Sequence, residues 1–153
     1  METAPAPRQR GSSRVSAAAL AAELRVALMK SVRRLRAEKS DADLTDAQYS
    51  VLAVLDRLGP TTPGEIAAVE RVQPPSMTRT VAALAELGLV TRTEHPADRR
   101  QVLVTLTEAG AATVRETRRR RDAWLARRLA ALTPAERDVL SRAAEILRRI
   151  ADS

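Results

Sequence analysis

Five polar side chains crowd together at Gln73, Ser76, Thr78, Arg79 and Thr80 of the 153-residue chain. Their types suit recognition of a nucleic-acid duplex. A guanidinium such as that of Arg79 bonds a guanine edge bidentately, the hydroxyls of Ser76, Thr78 and Thr80 serve phosphates or base edges, and the amide of Gln73 serves either. A second group, Asp98-Arg99-Arg100, falls in a polar turn. An arginine on a projecting turn suits the narrow, electronegative minor groove over A·T-rich duplex, and Asp98 beside it would orient an arginine through a charge-assisted hydrogen bond. Taken alone, each group also fits a solvated helix face or a charged loop. Their weight therefore depends on the elements that carry them.

Other chemistries find little support. The chain has no Cys and one His, His95, which removes thiol nucleophiles, disulfides and Cys-ligated zinc and leaves little for imidazole catalysis. Paired carboxylates, a nucleophile elbow and a Gly-rich phosphate loop do not stand out, so no catalytic residue, metal or cofactor is expected, and the chain does not read as an enzyme. His95 reads as a solvated loop residue. Aromatic residues make up 1% of the chain, so stacking on single-stranded bases is hardly available. The net charge of +7 suggests an anionic partner. Residues 60–106 nevertheless carry no part of it, because their arginines and acidic residues balance.

With 44% hydrophobic and 29% charged residues, the chain suits one globular domain with extensions. Residues 1–15, with Pro5, Pro7, Gly11 and three arginines, read as a flexible basic arm. Leu20, Leu24, Leu28, Val32 and Leu35 then fall on one face of a long helix within residues 16–43. Thr45 and Gln48 form a capping box, and Leu44 with Tyr49 has the spacing of a hydrophobic staple. That second helix runs through Val51, Leu52, Leu55 and Leu58 to a Gly59-Pro60 stop. A third opens at Thr62-Pro63-Gly64-Glu65 with Ile66 and Val69 inward, and a fourth at Pro74-Pro75 with Met77, Val81, Leu84 and Leu87 inward.

The period then switches from helix to strand. Leu89 to Glu94 and Gln101 to Leu106 predict a β-hairpin around the turn His95 to Arg100. Thr107 caps a fifth helix reaching about Leu132, with the run Arg118 to Arg121 at its middle. Four consecutive positions cover every face of a helix, so some of these arginines must pack along their stems or pair with Glu116 and Asp122. A third capping box, Thr133 to Glu136, opens a last helix with Val139, Leu140, Ala143, Ile146, Leu147 and Ile150 on one face. The expected fold is mainly α with a small β-hairpin wing: a winged helix-turn-helix over residues 44–106, flanked by helical regions at 16–43 and 107–153. In a helix-turn-helix the second helix enters the major groove with its N-terminal residues at the bases. Ser76, Thr78, Arg79 and Thr80 are what its inward positions leave outside.

The stretch Asp98-Arg99-Arg100-Gln101-Val102-Leu103-Val104-Thr105-Leu106-Thr107-Glu108-Ala109-Gly110 resembles the wing signature of the MarR family of transcriptional regulators. Thr62-Pro63-Gly64-Glu65-Ile66-Ala67 and Ser76-Met77-Thr78-Arg79-Thr80-Val81 match the same family's style. The resemblance runs from Ser16 to the C-terminus, with its motifs between Leu44 and Gly110. It implies a homodimer, usually a repressor, that binds an inverted-repeat operator in double-stranded DNA with one winged helix per half-site. The helices at 16–43 and 107–153 would then form the dimer interface, which accounts for their apolar faces. The family often binds small aromatic or phenolic anions in a cleft near that interface, which makes Tyr49 and nearby arginines possible ligand-lining residues, although Tyr49 also fits a core position.

Two other readings stay open: a winged protein-interaction or architectural module without sequence readout, and a peripheral membrane binder using the Arg-rich fifth helix. Glu23 and Arg25 interrupt the apolar stretch from Ala17 to Met29, so neither a signal peptide nor a membrane span is expected, and the location reads as cytoplasmic.

Overall fold

The computed structural model describes residues 16–39 and 42–152; the basic arm expected over residues 1–15 lies outside the described residues. The elements follow in the order α1 (Ala17–Arg36), α2 (Asp46–Leu58), α3 (Pro63–Glu70), α4 (Pro74–Glu86), β1 (Val90–Glu94), β2 (Val102–Leu106), α5 (Glu108–Ala130) and α6 (Pro134–Ala151). They fall into two compact units, Met1–Arg34 and Leu35–Ser153. In the first, α1 has no buried residue, and Leu20, Leu24, Leu28 and Val32 form an exposed apolar stripe. No described helix is long and apolar enough to cross a membrane.

The second unit holds the core. Both bonds of the capping box at Thr45 and Gln48 are made (3.2 and 2.9 Å), and α2 buries Val51, Leu52, Val54 and Leu55. Ile66 and Ala67 of α3, Met77, Val81 and Leu84 of α4, Val90, Val104 and Val114 pack with them. Truncating a side chain as enclosed as Leu84, which is fully buried, costs about 2–5 kcal/mol.

Two inward assignments are corrected. Val69 and Leu87 are exposed. With about 100° between successive residues, Ile66 and Ala67 centre the buried face of α3, and Val69 lies about 110° away from that centre. Leu87 is the C-cap of α4 and lies about 90° from the line defined by Met77, Val81 and Leu84.

The strands pair antiparallel from Val90 opposite Leu106 to Glu94 opposite Val102, one residue shorter at each start than the sequence pattern suggests. Thr61 adds a third, one-residue rung. Its N–H donates to the Val104 carbonyl (3.1 Å) and its carbonyl accepts from the Val104 N–H (2.9 Å), tying the loop before α3 to the wing. Thr107 then joins β2 to α5. Its hydroxyl accepts from the Gly110 N–H and donates to the Gly88 carbonyl, while its own N–H donates to Leu89. Val114 and Thr117 are buried from α5. Helix α6 buries none of its residues and leaves Val139, Leu140 and Ile146 exposed.

Candidate nucleic-acid interface

Helix α3 stops at Arg71, whose left-handed backbone (φ 54°, ψ 43°) turns the chain while its N–H still reaches the carbonyls of Ala67 and Ala68. Such a conformation costs a non-glycine residue about 1–2 kcal/mol, and it sets the short turn into α4. The N-cap there is Gln73, whose side chain makes no capping bond, and prolines occupy the first turn, where amide hydrogens lack helical acceptors anyway. Ser76, Thr78 and Arg79 are exposed, and Arg79 pairs with no described residue.

Thr80 departs from its expected outward position. It is half-buried, because it lies on the flank of the Met77-Val81-Leu84 line. Its hydroxyl donates to the Ser76 carbonyl, as the Thr78 hydroxyl does to Pro74, both at 3.1 Å. Both protons are thus used inside the helix, so in this rotamer Thr78 and Thr80 present oxygen lone pairs. Those match a base amino group better than a phosphate.

At the wing tip, one oxygen of Asp98 accepts from the backbone N–H of Arg100 (3.0 Å) and from its Nε (3.4 Å), and the other accepts from Gln101 Nε2 (3.2 Å). These bonds, the Arg100 amide foremost, hold the Asp98 carboxyl below its ordinary range. Asp98 thereby shapes the turn and steers Arg100, whose side chain is 93% exposed. Arg99 is exposed beside it.

His95 is not the freely solvated loop residue its position suggests. It is half-buried, and its Nδ1 accepts from the N–H groups of Ala97 (3.2 Å) and Asp98 (3.3 Å) while its backbone N–H donates to the Gln101 carbonyl (3.0 Å).

Helix and wing meet at one groove of about 340 Å³, lined by Thr62, Pro63, Gly64, Thr78, Arg92, Gln101 and Val102. Thr78 is the only one of the five α4-end candidates that lines it. Arg92 was missed by sequence reasoning. Alternation offered the signal, since Arg92 shares a hairpin face with buried Val90 and, through its pairing, with buried Val104. Thr61 was missed too. Its hydroxyl donates to Glu65 (2.6 Å), whose carboxylate also completes the capping box with Thr62. The Thr61 bond, then those from Thr62, lower the Glu65 pKa to about 2.

The arginine run divides among different partners. Arg118 pairs with Asp56 (2.7 Å) on α2, and Arg119 and Arg120 converge on Glu116 (2.9 and 2.6 Å). Bonds from Arg119 and then Arg120 lower the Glu116 pKa to about 2. Asp122 takes no part among the described residues. Arg121 lies over the Tyr49 ring, 4.2 Å from its centroid. Tyr49 and Arg121 border, with Lys39, Leu44, Asp46 and Thr117, a cavity of about 10 Å³, the room of a single water.

A three-helix body, a two-stranded wing bridged to the loop before α3, and an exposed polar helix end beside that wing define a winged helix-turn-helix of the DNA-binding kind. The MarR family model matches residues 44–102. The HTH-type transcriptional regulator MT0903.1 of Mycobacterium tuberculosis is 46% identical over 90% of this chain and 96% of its own. The HTH-type transcriptional repressor MdtR of Bacillus subtilis is 30% identical over 90% of each. A solved structure describing regulation of DNA binding of Bordetella bronchiseptica BpsR by 6-hydroxynicotinic acid is 27% identical, with TM-score 0.61, over 84% of this chain and 98% of that one. The chain belongs to the MarR family of transcriptional regulators.

Proposed function

We propose that the protein is a homodimeric repressor that binds an inverted-repeat operator, one winged unit per half-site, and leaves it when a small anionic or aromatic ligand binds. The observation that carries this reading is the shared groove where Thr78 of α4 faces Gln101 and Arg92 of the wing. In this assignment Gln73, Ser76, Thr78, Arg79 and Thr80 meet the major groove, Arg99 and Arg100 the minor groove, and Asp98 aims Arg100. The repressor named among the relatives supports the direction of regulation.

A dimer is favoured because α1 and α6 each leave an apolar stripe uncovered, Leu20, Leu24 and Leu28 on one and Val139, Leu140 and Ile146 on the other. For the ligand, Tyr49 is the proposed contact. Arg121 above it has a buried Nε without a hydrogen-bond partner among the described residues, a donor that a carboxylate or phenolate would satisfy. The cavity is too small for such a molecule as it stands, so entry requires Arg121 to leave the ring. BpsR, whose DNA binding is regulated by 6-hydroxynicotinic acid, is the precedent among the relatives.

The test is a footprint over the duplex upstream of the protein's own coding sequence, with the mass in solution measured alongside. Two protected half-sites spaced by about one helical turn, roughly 10 bp, and a mass of two chains are expected. Equal affinity for random duplex would favour the architectural reading instead.

A further inference from the structure

The proposed DNA contacts on the wing stand on a turn organised by two side chains, those of His95 and Asp98. We infer that His95 is a positioning residue: as neutral imidazole it holds the wing turn that aims Arg100, and protonation releases that turn.

The geometry requires an acceptor at Nδ1. Two backbone N–H groups, from Ala97 and Asp98, point at that atom. A protonated Nδ1 is itself a donor and accepts from neither. Both amides lie in the segment that feeds Asp98, and Asp98 in turn holds the Arg100 amide and Nε. The chain of contacts therefore runs from the imidazole through the turn backbone to the guanidinium. An imidazole accepting from the amide two residues on imitates an Asx turn, in which an Asn or Asp oxygen does the same. Unlike an Asn oxygen, imidazole changes from acceptor to donor between about pH 5 and 8.

The charged groups that act on the ring are Glu65, from the start of α3, and Asp98, within the turn. Both are anions at neutral pH, and a cationic imidazole attracts both. A ring that takes up a proton thus loses its backbone donors and gains two carboxylates to turn towards. Acidification re-aims the side chain and does not merely weaken its bonds.

The decisive experiment follows the amide resonances and hydrogen exchange of Ala97 and Asp98 in the DNA-free protein from pH 8 to 5.5, beside His95→Asn and His95→Leu. In the wild type, both amides should lose protection as the imidazole protonates. His95→Asn, which keeps an acceptor without a titrating group, should retain protection throughout, and His95→Leu should lack it already at pH 8. Equal pH profiles for wild type and His95→Asn overturn the inference.

A second arm measures affinity for the duplex upstream of the coding sequence. This arm rests on the proposed DNA-binding role. Relative to His95→Asn, wild-type affinity should match at pH 8 and fall on acidification by up to about tenfold per pH unit for each wing, about a hundredfold for a dimer with one linked proton on each wing. Wild-type affinity that rises instead overturns the inference, because His95 would then act as a cation on phosphate. Failure of every variant to bind the duplex counts against the DNA-binding reading, and the amide data still decide the role of His95.

Discussion

The backbone of Gly110 lies so close to the Leu89 carbonyl that a Cβ there would sit 2.2 Å from the oxygen, and 2.7 Å from Cδ1 of Leu106. The Thr107 N–H donates to the same Leu89 carbonyl. The Leu-Thr-x-x-Gly part of the wing signature is thus a packing device. Threonine caps α5 and bonds back to the β1 end, and glycine allows the two backbones to touch.

Gly110→Ala should accordingly destabilise the fold by about 3 kcal/mol, the upper range for overpacking against atoms that cannot yield. Gly64→Ala is the control. Its Cβ would meet only the Thr62 hydroxyl at 3.9 Å, and an alanine in a helix is favoured over glycine by about 1 kcal/mol. Urea midpoints of the two variants should therefore move in opposite directions.

Arg79→Ala should weaken operator binding by about 1–3 kcal/mol and relax base preference at one position of each half-site. Arg100→Ala should lose most over A·T-rich flanks, where the minor groove is narrow. Competition with duplexes altered at single positions separates the two patterns, and uniform loss across sequences would reassign Arg79 to a phosphate.

Glu65 gives stability a pH dependence of known sign. Its pKa is about 2 in the fold against an ordinary 4.5, so its contribution is complete above about pH 5 and disappears as pH falls towards 2. The difference in urea midpoint between wild type and Glu65→Gln should shrink over that interval. A difference independent of pH would mean that the fold favours the ionised carboxyl no more than the protonated one, contrary to the bonds from Thr61 and Thr62.

Leu24→Asp and Val139→Asp should each shift the solution mass from two chains towards one while leaving the helical signal of the winged unit intact, because neither position is buried in the single chain. Light scattering after size exclusion gives the answer directly.

Much of the scaffold could be read from local signals. The Thr45, Thr62 and Thr133 boxes announce their helices within four residues each, and the change of period at Leu89 announces the wing. What escaped depended on partners remote in sequence. Thr61 gave no local signal, because its partner Val104 lies on the far strand of the hairpin. Arg118 finds Asp56 across 62 positions, while the neighbouring Asp122 that spacing favoured is left aside. Val69 and Leu87 were misplaced because a short helix and a helix end give too few turns to fix the angle of the buried face. His95 was underrated because no periodicity reports a side chain that bonds its own turn.

A single residue, Thr107, separates the end of β2 from the start of α5, and it is bonded to Gly88, Leu89 and Gly110. With Thr61 clamped to the same strand, the wing base has no joint of its own. A tilt of α5 would therefore pass through Thr107 into the hairpin and, through Thr61, into the loop before α3. In the proposed dimer, an effector that alters the α5 angle would change the span between the two winged units.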